Sequence, residues 1–318
     1  MTFEDWVQDS KRKIDTYGLR KGARSAAFDF WGGAARRFCH TLGLDDGGTP
    51  IYDRDWDVLV LLDTCRVDAL ESVGDEYEFL PGAVPSFTSL GSTSWEWMHD
   101  NFTDEYREEM ARTAYVTANP HTRRFGDEFP APPEAFGLLD EVWTYEWDEE
   151  VRNNPPRPVT DRAITVARER DFDRLIVHYM QPHAPYPSLA EFAPEAARLL
   201  DDDEDAAVWD LLQTGQLSRA DAWAAYLETL RWVLGEVDLL LDNLDADRLV
   251  VSSDHGEAFG EWGLYGHYRH VPIPVLKTVP WVELSATDTG EYEPSVESES
   301  VEVSDDDVEQ RLSALGYK

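Results

Sequence analysis

The sequence predicts an α/β protein with a doubly wound, mostly parallel sheet flanked by helices, and three observations carry that prediction. Val58-Leu-Val-Leu-Leu62, Leu175-Ile-Val-His-Tyr-Met180 and Leu249-Val-Val-Ser-Ser253 are short, largely apolar runs, the pattern of strands covered on both faces. Between the second and third runs, Trp223, Tyr226, Leu227, Leu230, Val233, Leu234, Val237 and Leu241 recur at helical spacing. Strand, helix and strand in that order imply a right-handed crossover. Finally, each run leads straight into polar chemistry: Asp63 after the first, Gln181-Pro-His183 after the second, Asp254-His255 after the third.

Taken along the chain, residues 1–50 read as a basic helical arm. Trp6, Val7, Ile14 and Tyr17, then Phe28, Phe30, Trp31 and Phe38, suit two helices broken near Gly18 and at Gly32-Gly33. Residues 51–285 form the α/β body. Ala114-Tyr-Val-Thr-Ala118 is a further, weaker strand, and the long helix spans about 218–244, with Ser218 as N-cap and Asp221 three residues on. Asn153-Asn-Pro-Pro-Arg-Pro158 and the acid run 201–205 read as loops. Residues 286–318 make an acidic tail, expected to be mobile over 289–307 and to end in a short helix at 308–315.

Charge narrows the setting. The chain has 318 residues, 28 Lys+Arg against 64 Asp+Glu, and a formal net charge of -36. That balance excludes a nucleic-acid binder held by phosphate contacts. The 12 Trp, 13 Tyr and 13 Phe equally exclude a disordered acidic chain. Only 5 of the 28 basic residues are Lys. Acid excess with scarce Lys suits molar salt, where the Debye length shrinks to ~3 Å and self-repulsion is screened. The first residues lack the apolar core of a signal peptide, and no run of about 18 apolar residues occurs, so a cytoplasmic protein in a high-salt cytosol is expected. Residues 1–43 run against the trend, with eight Lys/Arg and five Asp/Glu, which admits peripheral contact with the inner face of a membrane. Cys39 and Cys65 have neither disulfide-framework nor metal-ligand spacing.

In open α/β sheets the ligand site lies beyond the carboxyl ends of the strands. Carboxylates and imidazoles gathered at one rim supply the oxygen and nitrogen donors of a divalent metal site. Singly, each such Asp is an ordinary cap or turn former; three endings together favour the metal. A nucleophile is sought at a helix start, where backbone N–H groups hold an anion. Gly91-Ser92-Thr93-Ser94 before a helical stretch at 95–102 offers hydroxyls there, with plain N-capping and Glu96 in the first turn as the alternative.

These blocks carry a resemblance. Val58-Leu-Val-Leu-Leu-Asp63-Thr-Cys-Arg66-Val-Asp68 is similar to the first strand and metal ligand of the alkaline phosphatase/sulfatase superfamily. Gln181-Pro-His183-Ala-Pro-Tyr186 resembles that family's Asp-Pro-His-x-Pro-Tyr, with Gln181 in place of the acid. Ser253-Asp254-His255-Gly256-Glu257 and Gly263-Leu-Tyr-Gly-His267 resemble its Ser-Asp-His-Gly-Glu and Gly-His signature. More narrowly, the whole resembles sulfatase-like hydrolases of halophilic archaea.

The resemblance implies an alkaline phosphatase-like fold and a divalent metal (Zn, Mn, Mg or Ca; one or two ions) on Asp63, Asp254 and His255, with Thr93 and His267 as further ligands. It implies Thr93 as nucleophile with Ser92 as fallback, and His183 and His267 in catalysis. Substrate contacts fall to His183, Arg66 and His270, Arg66 being expected chiefly to pair with Asp68 behind the site. The activity implied is phosphoester hydrolysis or phosphotransfer, on a phosphorylated or sulfated small-molecule, lipid-linked or glycan substrate. The alternatives are sulfate ester hydrolysis and a non-catalytic metal-containing binding protein. Thr93-Ser-Trp-Glu-Trp97 has neither the Pro nor the Arg of the sulfatase C/S-x-P-x-R motif, which favours phosphorus over sulfur.

Overall fold

Nine strands run through the described part of the chain: β1 (Val58–Leu62), β2 (Ser86–Thr88), β3 (Thr113–Thr117), β4 (Leu138–Glu141), β5 (Arg174–Tyr179), β6 (Ala246–Ser252), β7 (Ala258–Phe259), β8 (Tyr265–Gly266) and β9 (Thr278–Ala286). The computed structural model describes residues 3–44, 47–169, 171–202, 207–299, 301 and 303–315. Seven strands form one sheet in the order β2-β9-β6-β1-β5-β3-β4, while β7 and β8 pair separately. From β6 to β4 the strands are parallel; β9 runs antiparallel to both its neighbours. The expected doubly wound, mostly parallel sheet is present.

The helices are α1 (Phe3–Tyr17), α2 (Leu19–Leu42), α3 (Val67–Val73), α4 (Ser94–Asn101), α5 (Arg107–Met110), α6 (Pro156–Glu169), α7 (Leu189–Phe192), α8 (Pro194–Asp202), α9 (Val208–Thr214), α10 (Arg219–Leu241), α11 (Pro274–Lys277) and α12 (Asp305–Ala314). Among the described residues no helix is long and apolar enough to cross a membrane. The strand alternation feeds two cores. Val58, Val60, Leu62, Val177 and Val251 belong to one core with residues of α6 and α10. Leu59, Leu61, Tyr115, Ile176 and Val250 belong to the other, with Trp97 and Met98 of α4 and with Phe102, Phe125 and Phe136. A strand covered on both faces has no solvent side, which is why β1 reads as uninterrupted apolar sequence.

Three expectations are corrected. The helix expected to break at Gly32-Gly33 runs through as α2; the break is at Gly18, with φ +79°. A Cβ on Gly32 would lie 2.5 Å from the Tyr268 ring, so this glycine serves close packing, not chain reversal. The acidic tail is not a detached segment. Asp161 of α6 accepts hydrogen bonds from Tyr292 Oη (2.6 Å), Ser295 N (2.8 Å) and Ser295 Oγ (2.9 Å), and Arg168 donates to the Tyr292 carbonyl (2.7 Å). After it, α12 packs Val308 and Leu312 on Trp143. Of the acid run expected as loop, 201 and 202 belong to α8, and 203–205 lie outside the described residues, as do 300 and 302 of the tail.

The α1–α2 hairpin is fixed by an ion cluster. Lys13, only 4% exposed, places Nζ 2.5 Å from Asp29, 2.6 Å from Asp210 of α9 and 3.1 Å from Asp9. Arg12 adds a contact to Asp210 at 3.2 Å. Burial opposes the Lys13 charge, but the surrounding carboxylates outweigh it and hold the ammonium form well above its ordinary range. Replacing Lys13 with Met is therefore expected to destabilise the protein by about 3–5 kcal/mol, since it strands buried carboxylates without their cation. Denaturant unfolding in concentrated salt measures this, and an unchanged midpoint would refute it.

Candidate active site

The register of three adjacent strands assembles the site. Leu61 of β1 pairs with His178 of β5 on one side and Ser252 of β6 on the other. Side chains two residues apart share a face, so Asp63 and Asp254 continue past the strand ends on the side where His178 lies. All three are fully buried. Asp254 Oδ1 accepts from the backbone N–H of His255 (2.9 Å) and of Thr64 (3.3 Å). Asp63 Oδ2 accepts from Asn119 Nδ2 (2.9 Å), just beyond β3. Thr64 has φ +65°, and its carbonyl accepts from Tyr226 Oη of α10 (3.0 Å), which fixes the turn after Asp63.

The first turn of α4 meets this cluster, and the residue that does so is Ser94. Its Oγ lies 3.1 Å from Asp63 Oδ2 and 3.2 Å from His255 Nε2, fully buried. The hydroxyls of Thr93 and Ser92, expected to play this part, are engaged elsewhere. Thr93 is the N-cap and accepts from Glu96 N at 3.3 Å. Ser92 Oγ donates to Glu96 Oε2 (2.6 Å), which also accepts from Ser92 N (3.1 Å). Thr93 Oγ1 accepts the capping bond, and the next residue, the first inside the helix, turns its hydroxyl toward the strand ends. The signal in the sequence was Thr93-x-x-Glu96 itself, which marks Thr93 as a cap.

His183, Glu257 and His267 form a second group, with ligand atoms all within 4.8 Å of one another. His267 Nδ1 and Glu257 Oε1 share a hydrogen bond at 3.1 Å, and His255 Nδ1 donates to the Gly256 carbonyl at 2.8 Å. The second bond leaves His255 Nε2 turned toward Ser94 and the carboxylates. The His267 ring centroid is 4.6 Å from that of His255 and 5.2 Å from that of His183. Gln181, standing where an acid was expected, donates Nε2 to the Asn154 carbonyl. The carboxylate of this group is Glu257, which stands in the Asp254-His255-Gly256-Glu257 run; His178, grouped with Asp63 and Asp254, carries no signal in sequence beyond its place in a buried strand.

Two candidates lie apart from these groups. Arg66 is occupied as a brace: it bonds Asp68 through Nε (2.9 Å) and Nη2 (2.7 Å), and the Glu257 carbonyl and Glu261 through Nη1 (2.9 and 3.0 Å). His270 stands at the rim with its Nδ1 3.0 Å from Glu96 and its ring 4.3 Å from that of His40.

The electrostatics agree with a cation site. Burial works against a charged Asp63, but His178, His183 and His255 outweigh it and hold the carboxyl well below its usual range. Burial pulls His255 down, and Asp254 and Asp63 raise it above its ordinary value nonetheless. Burial pushes Glu257 up to about 8 and pulls His267 down to about 3, the latter helped by His255. Asp254 Oδ2 is buried and makes no hydrogen bond among the described residues. It lies 3.7 Å from His178 Nε2 and 3.6 Å from His255 Nε2, and Asp63 Oδ1 is 3.7 Å from His255 Nε2. Those separations are too long for hydrogen bonds, yet near the roughly 3.4 Å between two ligands that each sit about 2.1 Å from one tetrahedral ion. Two carboxylates with imidazoles in this spacing fit a divalent metal.

Neither a protein-family model nor a curated protein sequence matches the chain. Among solved structures, it is similar to the integral membrane protein lipooligosaccharide phosphoethanolamine transferase A from Neisseria meningitidis, at 17% identity and a TM-score of 0.47, over 74% of this chain and 48% of that one. It thus spans about half the length of that protein. The soluble domain of the same transferase gives 18% identity and a TM-score of 0.46, over 70% of this chain and 75% of that one. BT4656, solved in complex with its substrate D-glucosamine-2-N,6-O-disulfate, gives 14% and 0.42, over 83% and 77%.

Proposed function

We propose that this protein is a metal-dependent phosphoester hydrolase or phosphotransferase with Ser94 as its nucleophile. The observation that carries the reading is the buried Ser94 hydroxyl, within 3.2 Å of both Asp63 and His255 at the start of α4. Asp63, Asp254, His255 and His178 would hold the ion, His donors favouring Zn or Mn over Mg or Ca. When bound, such an ion lowers the pKa of a neighbouring hydroxyl and polarises a phosphoryl oxygen. Ser94 Oγ, its proton given up to solvent water, forms a bond to phosphorus as the bond to the leaving-group oxygen breaks and that oxygen takes up a proton. Water or an acceptor alcohol then takes the phosphoryl group and restores the hydroxyl. His183 and His267, the latter oriented by Glu257, hydrogen-bond the phosphoryl or leaving-group oxygens, or hold a second ion. Phosphorus is favoured over sulfur because Ser94-Trp-Glu-Trp-Met98 also lacks the Pro and Arg of the sulfatase motif. The charge of -36 fits work in concentrated salt; the substrate in this reading is a lipid-linked or glycan phosphoester.

Hydrolysis of p-nitrophenyl phosphate with Mn or Zn in molar KCl tests the assignment. Ser94→Ala should lower kcat/KM by roughly a thousandfold or more. Thr93→Ala should keep most of the activity while losing about 1 kcal/mol of stability with its cap. Equal rates for wild type and Ser94→Ala would refute Ser94 as nucleophile, and no turnover with any metal would favour a binding protein. Phosphorylated acceptor alcohols among the products would mark a transferase.

Metal content is a separate check. Asp254→Asn should cost the protein its tightly held ion, by elemental analysis after dialysis, whereas Thr93→Ala should keep it. An undiminished metal content in Asp254→Asn would remove Asp254 from the ligand set.

A further inference from the structure

The outer face of α2 is built of aromatic and basic residues. Arg20, Arg24, Trp31, Phe38 and Leu42 recur at near-helical spacing and are all exposed, Trp31 at 53% and Phe38 at 61%. Among the described residues, most of the exposed large apolar side chains lie on α2, flank it or touch it; the exceptions are Phe192, Trp232 and Val301. Trp262, 75% exposed, is held against the helix by a hydrogen bond from Trp31 Nε1 to its carbonyl (3.0 Å). The charge on α2 is one-sided: five Lys/Arg and a single acid, Asp29, which is turned inward onto Lys13. In a chain of net -36, an exposed aromatic face carrying positive charge is the local exception.

We infer that this face, with Trp262, docks on the surface of an anionic phospholipid bilayer. A helix lying in the interface places aromatic side chains at the headgroup boundary and sets its cations against lipid phosphates. A symmetric contact between two copies would instead oppose the same arginines to one another. At molar salt the charge attraction acts only at contact, so aromatic insertion supplies most of the affinity.

The docking face is coupled to the rim of the site. Tyr268 packs on Gly32 and the His270 ring on His40, both in the loop that begins with His267. A phosphoester in a lipid headgroup would thus be met by the site from the side of the membrane. That consequence rests on the chemistry proposed above; the docking does not.

Flotation of the full chain with vesicles of phosphatidylcholine alone, or equimolar with phosphatidylglycerol, tests the inference at low and molar KCl. The wild type should float with the mixed vesicles and more weakly with phosphatidylcholine. The triple variant Trp31→Ser/Phe38→Ser/Trp262→Ser should float roughly tenfold less at either salt, with unchanged circular dichroism and turnover of soluble p-nitrophenyl phosphate. Arg20→Glu/Arg24→Glu should lose the preference for phosphatidylglycerol at low salt. Wild type that never floats, or aromatic variants that float as well as wild type, would overturn the inference. So would a wild-type dimer, by light scattering, that the aromatic variant abolishes without any flotation, since it would assign the face to a second copy. Loss of turnover in Ser94→Ala with flotation intact separates the two readings.

Discussion

Two carboxylates, Asp63 and Asp254, are held out of water at the ends of adjacent parallel strands, and much of the molecule answers what that requires. An uncompensated buried carboxylate costs several kcal/mol. Here the compensation comes from every element that reaches the rim: backbone N–H groups at Thr64 and His255, the Asn119 amide after β3, Ser94 at the head of α4, and imidazoles from β5 and the segment after β6. The left-handed turn at Thr64 and the Tyr226 hydroxyl reaching it from α10 belong to the same arrangement. These hydrogen-bond donors and imidazoles are what allow two acids to sit in a dry pocket.

The helix start shows how one turn separates structural from chemical hydroxyls. Thr93 and Ser92 close on Glu96, and that closure orients Ser94. The Thr93 oxygen faces its own helix, and the Ser94 oxygen faces the buried carboxylate of Asp63. Adjacent serines and threonines take both orientations, and sequence spacing alone does not tell which takes which.

Much of the sheet was legible because β1, β5 and β6 are covered on both faces and carry the apolar runs that such burial demands. The edge was not. β2 is three residues long, β4 mixes Leu with Asp and Glu, and β9 contains Pro280 and Glu283, so none shows a clear period. Asp63, Asp254, His255, His183 and His267 could be picked out because they follow strand ends or sit in a dense motif. His178 could not, because its neighbours in the chain are strand residues and its role depends on pairing across to β1 and β3. Acidic composition suggested a loose tail, whereas a few contacts to Asp161 suffice to hold it, and no composition rule anticipates a partner so distant in sequence.

The contact between Gly32 and Tyr268 alters how the first forty residues should be regarded. Phe28 packs edge-on against Tyr265, and His40 against His270, so the hairpin forms one wall of the loop that carries His267. A fragment trimmed to the α/β body would keep the ligands supplied by β1, β5 and β6, yet leave that loop without its backing. A side chain larger than hydrogen at position 32 would have to displace the Tyr268 ring. Insertions that change the pitch of the hairpin would be felt as changes in the shape of the loop that carries His267.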